Sequence, residues 1–178
     1  HALNAEDLAA FSLEDIAAIN TKAIKGLSAG AISQFSTDQI GALSTIQIAA
    51  LESAQVVALS TESLSSLSPS QIAALSTRVM ATLSTDQIAS LNSAKMEALT
   101  AAQVKAMTSV QVSALEIDDI NTFSTAELAA ITSMAVAGLD ASIVASLSSS
   151  QIAALAAATI PGLTTVQIGS LTSQQLSA

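Results

Sequence analysis

The side chains that most often carry catalysis are nearly absent from this chain of 178 residues. It contains a single histidine, His1, and no cysteine. A serine hydrolase triad needs a histidine beside its nucleophile, and thiolate metal sites and disulfides need cysteine, so internal residues can build none of these. We therefore assign no catalytic, cofactor-binding or metal-binding residues, and we expect a protein that is not an enzyme.

Three pairs of adjacent acids are the remaining candidates for acid–base chemistry or calcium binding, and they are Glu6/Asp7, Glu14/Asp15 and Asp118/Asp119. Neighbouring residues on a helix do not face each other, so such a pair cannot converge on one substrate or ion. The sequence also lacks a phosphate-binding glycine loop and the glycine- and aspartate-rich nonapeptide of RTX proteins. We interpret these acids as solvated residues in the first turns of helices.

Charge and composition exclude further classes of function. Five basic against fourteen acidic residues give a net charge of -9, which argues against nucleic acid and anionic membranes as partners. Hydrophobic residues make up 51% of the chain but aromatic residues only 2%, so it should fold around a thin aliphatic core. We see neither eighteen consecutive apolar residues nor a signal peptide. Because His1 stands where an initiator methionine would, we expect a piece of a larger protein.

An eight-residue repeat runs through the whole sequence. From Leu3 to Ala178 the chain divides into twenty-two octads without insertion or deletion, which we number 1 to 22, with positions 1 to 8 in each. Positions 1 and 6 are apolar in every octad, and position 8 is small in all but Gln34. The consensus is L-S-T-x-Q-I-A-A, and the domain prediction is one octapeptide-repeat solenoid over residues 1–178.

Helices explain this pattern better than strands. Positions 1 and 6 have opposite parity and would point to opposite faces of a strand. Position 6 and the next position 1, such as Ile40 and Leu43, are three residues apart and share a helix face. One continuous helix would let the apolar stripe drift by about 80° per octad, so the helix must break once in every repeat.

Capping residues mark these breaks. Position 2 is Ser, Thr, Asn or Asp in all but three octads, Pro69 follows Ser68 at the first helical position, and Gln or Glu often follows three residues after the cap. This spacing predicts ten capping boxes: Ser36/Gln39, Ser44/Gln47, Ser68/Gln71, Ser84/Gln87, Thr100/Gln103, Thr108/Gln111, Ser124/Glu127, Ser148/Gln151, Thr164/Gln167 and Thr172/Gln175.

The predicted fold is an all-α solenoid of short capped helices, one per octad, forming an elongated rod. Because helices of about six residues are unstable alone, positions 1, 6 and 8 should be buried between coils. Two or three octads per coil both fit the sequence, and a partial sixteen-residue alternation does not decide between them. We expect a bent or shortened helix at Leu155–Gly162, where Ala156 replaces the cap and Pro161 falls inside the helix.

Several exposed positions could carry function. Position 3 holds a series of threonines that suggests a lattice- or glycan-binding face, or simply a soluble surface: Thr37, Thr45, Thr61, Thr77, Thr85, Thr125 and Thr165. Apolar side chains at variable positions are candidates for a binding patch: Ile46, Val57, Val110, Ile117, Met134 and Val166. Three of the four methionines, Met80, Met96 and Met107, take core positions, which favours packing over metal binding.

The motifs FSTDQIGALSTIQIAAL and LSPSQIAALSTRVMATLSTDQIASL resemble octapeptide-repeat tracts of very large, acidic, cysteine-poor surface or secreted proteins of Gram-negative bacteria, of the adhesin-like or haemagglutinin-like kind. The resemblance covers essentially the whole chain. It implies an extracellular or cell-surface location and a stalk or repeat module, and it transfers no functional residue.

We therefore expect a structural repeat segment that acts as a rod, stalk or spacer in such a protein. The alternative is a binding scaffold that presents one solenoid face to a protein or glycan. The sequence leaves the oligomeric state open.

Overall fold

A computed structural model describes residue 8 and residues 10–177, without the side chains of residues 156–158. Nineteen short α-helices and two 3₁₀ turns account for the regular structure of this part of the chain, which contains no strand. The all-helical prediction is confirmed. His1 and the Glu6/Asp7 pair lie outside the described residues.

The chain forms two compact units, His1–Leu91 and Asn92–Ala178, and the octad frame continues through the boundary in the sequence. The helices of the first unit are Leu13–Ala18, Thr21–Gly26, Ala29–Ile32, Thr37–Gly41, Thr45–Ala50, Ser53–Val57, Thr61–Ser66, Pro69–Ala74, Thr77–Met80 and Thr85–Ala89. The second unit contains Ser93–Glu97, Ala101–Ala106, Ser109–Val112, Ile117–Thr122, Thr125–Ala130, the 3₁₀ turn Val136–Gly138, Ala141–Ser146, Ser149–Thr159, the 3₁₀ turn Ile160–Gly162, Thr165–Ser170 and Ser173–Leu176.

Two consecutive extended residues turn the chain between helices. After the helix Thr45–Ala50, Leu51 at position 1 has φ -62° and ψ 142°, and its N–H still donates to the Ile48 carbonyl over 3.1 Å. The cap Ser44 at the other end has φ -67° and ψ 159°. No residue of the described chain has a positive φ, so the corner needs no glycine.

Capping holds each helix start in place. All ten capping boxes expected from the sequence are present, and Pro69 lies in the first turn as predicted. Ser12 and Asp15 form a further box. The octad is therefore a helix whose start is fixed by its own side chains.

Three octads make one coil of 24 residues, the question that the sequence left open. In the first unit Thr37–Gly41 packs against Leu13–Ala18 and Thr61–Ser66, which are three octads before and after it. In the second unit Thr125–Ala130 packs in the same way against Ala101–Ala106 and Ser149–Thr159. Every third octad thus belongs to one column of stacked helices.

Positions 1, 5 and 6 form the core. Position 6 is the most buried, as at Ile48 and Leu64, and position 1 packs beside it, as at Leu43. The expected burial of position 8 is wrong, because its residues are half-buried or exposed throughout the described chain, and glutamines at position 5 are buried instead. Polar side chains can replace apolar ones there because their hydrogen bonds are satisfied.

Position 8 is nonetheless a place of close backbone approach, as its small residues suggested. A Cβ atom added to Gly138 would lie 1.9 Å from the Ser109 carbonyl oxygen, and one added to Gly162 would lie 1.7 Å from that of Ser133. These two positions accept only glycine without a backbone shift.

Octad 20, Leu155–Gly162, departs from the pattern differently from our expectation. Instead of a separate bent or shortened helix, the helix Ser149–Thr159 runs on through the position where a corner would form, and the 3₁₀ turn Ile160–Gly162 follows it. Ala156 has no side-chain oxygen to stop the preceding helix, and Pro161 then prevents it from continuing. Thr159 is buried and its hydroxyl donates to the Leu155 carbonyl.

Removing a cap should weaken the fold. Ser84 Oγ accepts the Gln87 N–H over 3.1 Å, and Ser84→Ala should lower the free energy of unfolding by about 0.5–2 kcal/mol. Ala102→Ser, at an exposed position 4, is the control and should change it by less than about 0.5 kcal/mol. Urea unfolding measures both, and equal effects would contradict the assigned helix starts.

Candidate functional site

The glutamine at position 5 joins one coil to the coil before it, as Gln47 illustrates. Its Oε1 accepts the Ser44 N–H over 2.7 Å, which completes the capping box of its own helix. Its Nε2 donates to the carbonyls of Ile16 and Ile19 over 2.9 and 2.7 Å. One buried amide thus satisfies a helix start and a corner of the neighbouring coil, and we call this arrangement the glutamine clamp.

The clamp recurs with fixed sequence spacing. In its most frequent form Nε2 reaches the carbonyls 31 and 28 residues earlier, which belong to positions 6 and 1 of the preceding coil. Clamps to earlier carbonyls occur within the first unit at Gln39, Gln47, Gln55, Gln71 and Gln87 and within the second unit at Gln167 and Gln175. The Gln71 amide uses the carbonyl 30 residues earlier in place of the one at 31.

Sequence analysis recognised these glutamines only as partners of the caps. A signal for the second role was present, because position 5 holds ten glutamines and one glutamate, Glu127. A glutamate would complete a capping box equally well and would favour the positive end of the helix dipole. The preference for the amide indicates that its N–H groups are needed, and a carboxylate has none.

Octads 15 and 16 carry acids where the clamp amide would be. Asp119 Oδ2 accepts the Glu116 N–H over 2.9 Å, and Glu127 accepts the Ser124 N–H over 2.9 Å, so both complete the cap. Partial burial raises the pKa of Asp119, and the nearby charges of Glu116 and Asp118 add to this rise against the opposing hydrogen bond from Glu116. A carboxylate is therefore disfavoured at this position.

The two described acid pairs do not converge on a common point of chemistry. Asp15 accepts bonds from the Ser12 hydroxyl and N–H, which lower the pKa of its carboxyl, while Glu14 is exposed. Asp119 turns toward its cap and Asp118 is exposed. Each pair thus divides into one capping acid and one solvated acid.

Octads 2, 5, 8 and 11 bring exposed acids into one column of the first unit. Their helices stack on one another, and position 4 carries an exposed acid in each: Glu14, Asp38, Glu62 and Asp86. Three of the seven position-3 threonines, Thr37, Thr61 and Thr85, lie in the same column. The remaining four belong to other columns or to the second unit, so the threonines form no single continuous face.

The apolar residues that we singled out lie mostly in solvent. Ile46, Val57, Val110, Met134 and Val166 are each more than half exposed, whereas Ile117 is only partly so. Val110 and Met134 occupy position 4 of stacked octads 14 and 17. Met80, Met96 and Met107 are buried, which confirms their packing role.

Among the described residues, no group of three potential metal-binding side chains comes together, and no helix combines the length and hydropathy needed to cross a membrane.

Comparison with known protein families identifies the kind of repeat. Residues 8–45 and 48–85 match the model of the ALTTAQ repeat. The two matches start 40 residues apart, which is five octads, and both begin at position 6. Residues 42–47 read ALSTIQ, from position 8 to the clamp glutamine. This similarity supports a tandem repeat tract, and no curated protein matches the chain.

The clamp can be tested by an isosteric change. Gln47→Glu keeps the acceptor for the Ser44 N–H but, when ionised, places a carboxylate against the carbonyls of Ile16 and Ile19. We expect a loss of about 2–4 kcal/mol in the free energy of unfolding at pH 7. Gln34→Glu, the same change at an exposed position, is the matched control and should have little effect. Urea unfolding of both variants decides, and equal losses would rule out the clamp.

Asp119 should make stability depend on pH. Its raised pKa means that the folded protein binds the proton more tightly than the unfolded chain, so stability falls as pH rises from the unfolded pKa through the folded one. Asp119→Asn keeps an acceptor and removes the charge, so it should stabilise the protein at pH 7. The gain should shrink as pH falls through that window. Exposed Asp38→Asn serves as the control, and a gain for Asp119→Asn that grows in acid would contradict this sign.

Proposed function

We propose that this chain is a structural repeat segment that acts as a rod, stalk or spacer in a larger protein. The observation that carries the proposal is the glutamine clamp, which joins position 5 of one coil to positions 6 and 1 of the coil before it within each unit. A contact of this kind can be repeated without limit because each coil supplies the acceptors for the next. Such an array serves to set a distance, and the proposal includes no catalytic role.

The parent protein that we propose is an extracellular or cell-surface protein of a Gram-negative bacterium, of the adhesin-like kind. The resemblance of the octad motifs to repeat tracts of such proteins supports this, as do the acidic charge and the lack of cysteine. A net charge of -9 keeps neighbouring copies apart and the surface hydrated.

The alternative function is a binding scaffold for a protein or a glycan. The column that carries Asp38, Glu62 and Asp86 beside Thr37, Thr61 and Thr85 favours it, because one acid and one hydroxyl recur in each coil of the first unit. A spacer should tolerate serine at all three acidic positions. A scaffold should lose binding to a glycan or protein array with that triple variant and keep it when three exposed residues of another column are changed.

The spacer role can be tested by deletion. Removing Leu59–Thr82 takes out three octads, one complete coil, and leaves both the octad frame and the column order intact. Removing only Leu59–Glu62 shifts the frame by half an octad and places polar positions in the core. The first variant should melt cooperatively close to the temperature of the full chain, and the second should lose its folded coils. Thermal unfolding followed by circular dichroism measures both.

Small-angle scattering of the full chain supplies the second readout. A compact globule of this length has a radius of gyration of about 16 Å, whereas coils of three octads stacked 8–10 Å apart form a rod of about 60–75 Å. A clearly larger radius that decreases on removal of one coil supports the spacer. A compact value, or equal tolerance of the two deletions, contradicts it.

A further inference from the structure

The last coil of the second unit exposes side chains that all earlier coils bury. Position 6 is at most 7% exposed in every octad from Leu8 to Ile152. The same position is 59% exposed at Ile160, 46% at Ile168 and 65% at Leu176. Because position 6 is already covered in the earliest described octads, it is the following coil that covers it, and octads 20 to 22 have no following coil in this chain.

This end has the composition of an interior coil. Leu155, Leu163, Leu171 and neighbouring aliphatic groups line a pocket of about 160 Å³ that opens beside Ile160 and Leu176. No charged residue occurs between Ala141 and Ala178. Repeat arrays that end in solvent need a polar outer face on the terminal repeat. The surface therefore has the properties of an interface.

The backbone at this end offers the acceptors of the glutamine clamp. The carbonyls of Ile168 and Leu171 occupy the positions whose counterparts, Ile16 and Ile19, accept the Gln47 amide. The Ile168 carbonyl accepts the Leu171 N–H over 3.2 Å, just as that of Ile16 accepts the Ile19 N–H. The clamp adds a second donor to such a carbonyl, and the sequence has no residue 31 positions after Ile168.

We propose that the exposed end formed by octads 20 to 22 is a docking surface for a further coil of octad repeats with glutamine at position 5. The surface continues the interface that the glutamine clamps make throughout each unit, so both its apolar groups and its carbonyls select that partner. The first coil of a second copy does not fit, because octads 1 to 3 carry Asp7, Asp15 and Ala23 at position 5 and offer no amide. This inference rests on intercoil packing and goes beyond the spacer role.

The test appends a copy of residues 35–58 directly after Ala178. These three octads keep the frame and carry Gln39, Gln47 and Gln55, which all form clamps in their own place. We expect the added coil to slow hydrogen exchange of the Ile168, Leu171 and Leu176 amides by about tenfold or more. It should also abolish binding of an apolar dye such as ANS to this end.

Two matched variants of the appended copy separate the clamp from unspecific coverage. Gln47→Glu with Gln55→Glu removes the amides, whereas Ile46→Glu with Ala54→Glu adds the same charge at exposed positions 4 and 7–8 residues apart in the same helices. The first pair should abolish the protection and the second should preserve it. Protection that survives the first pair, or a copy that gives no protection at all, overturns the proposal.

Sedimentation of the unextended chain completes the test. It should remain monomeric over a wide range of concentration. A concentration-dependent dimer in which the same three amides become protected would identify a second copy as the occupant and would also overturn the proposal. None of these results depends on chain length or deletion tolerance, so failure here is distinguishable from failure of the spacer role.

Discussion

The constraint on which this structure depends is that a chain turning every eight residues must satisfy the polar backbone groups at every corner. Each short helix leaves free N–H groups at its start and free carbonyls at its end, and the core leaves little room for water. The buried glutamine solves both problems with one side chain, since its oxygen takes an N–H of its own helix while its nitrogen gives hydrogen bonds to the coil before. Packing of Leu, Ile and Val adds stability, but it does not set which coil lies against which.

The clamp also explains why a core almost without aromatic residues can hold together. Aliphatic contacts between thin coils are weakly directional, so many registers would bury similar areas. The amide of Gln47 reaches the carbonyls of Ile16 and Ile19 in one register only, and unsatisfied polar groups penalise the others. Where acids replace the amide, as at Asp119 and Glu127, the cap survives and the intercoil donor is lost. The stability of the array is thus uneven along the chain.

The sequence predicted the local features and left the distant ones open. Caps such as Ser84 and Thr164, the octad frame and the all-helical fold depend on residues within one repeat, so their patterns could be read directly. The number of octads per coil depends on contacts 28 and 31 residues apart, and nearly identical octads give little information about which of them meet. For the same reason Gln47 was recognised as a capping partner and its bonds to Ile16 and Ile19 were not. In octad 20 the missing hydroxyl of Ala156 was noticed, but it lengthened the preceding helix instead of shortening the next.

The corner geometry has a consequence for how such a sequence can change. Extended dihedrals at positions 1 and 2 are open to any amino acid with a side chain, and no described residue requires a left-handed backbone. Outward-facing positions 4 and 7 are bound neither by packing nor by the turn. The scaffold therefore separates its grammar from its vocabulary: substitutions there can give every coil a different outer surface, while the buried amides and aliphatic groups keep the same count of eight.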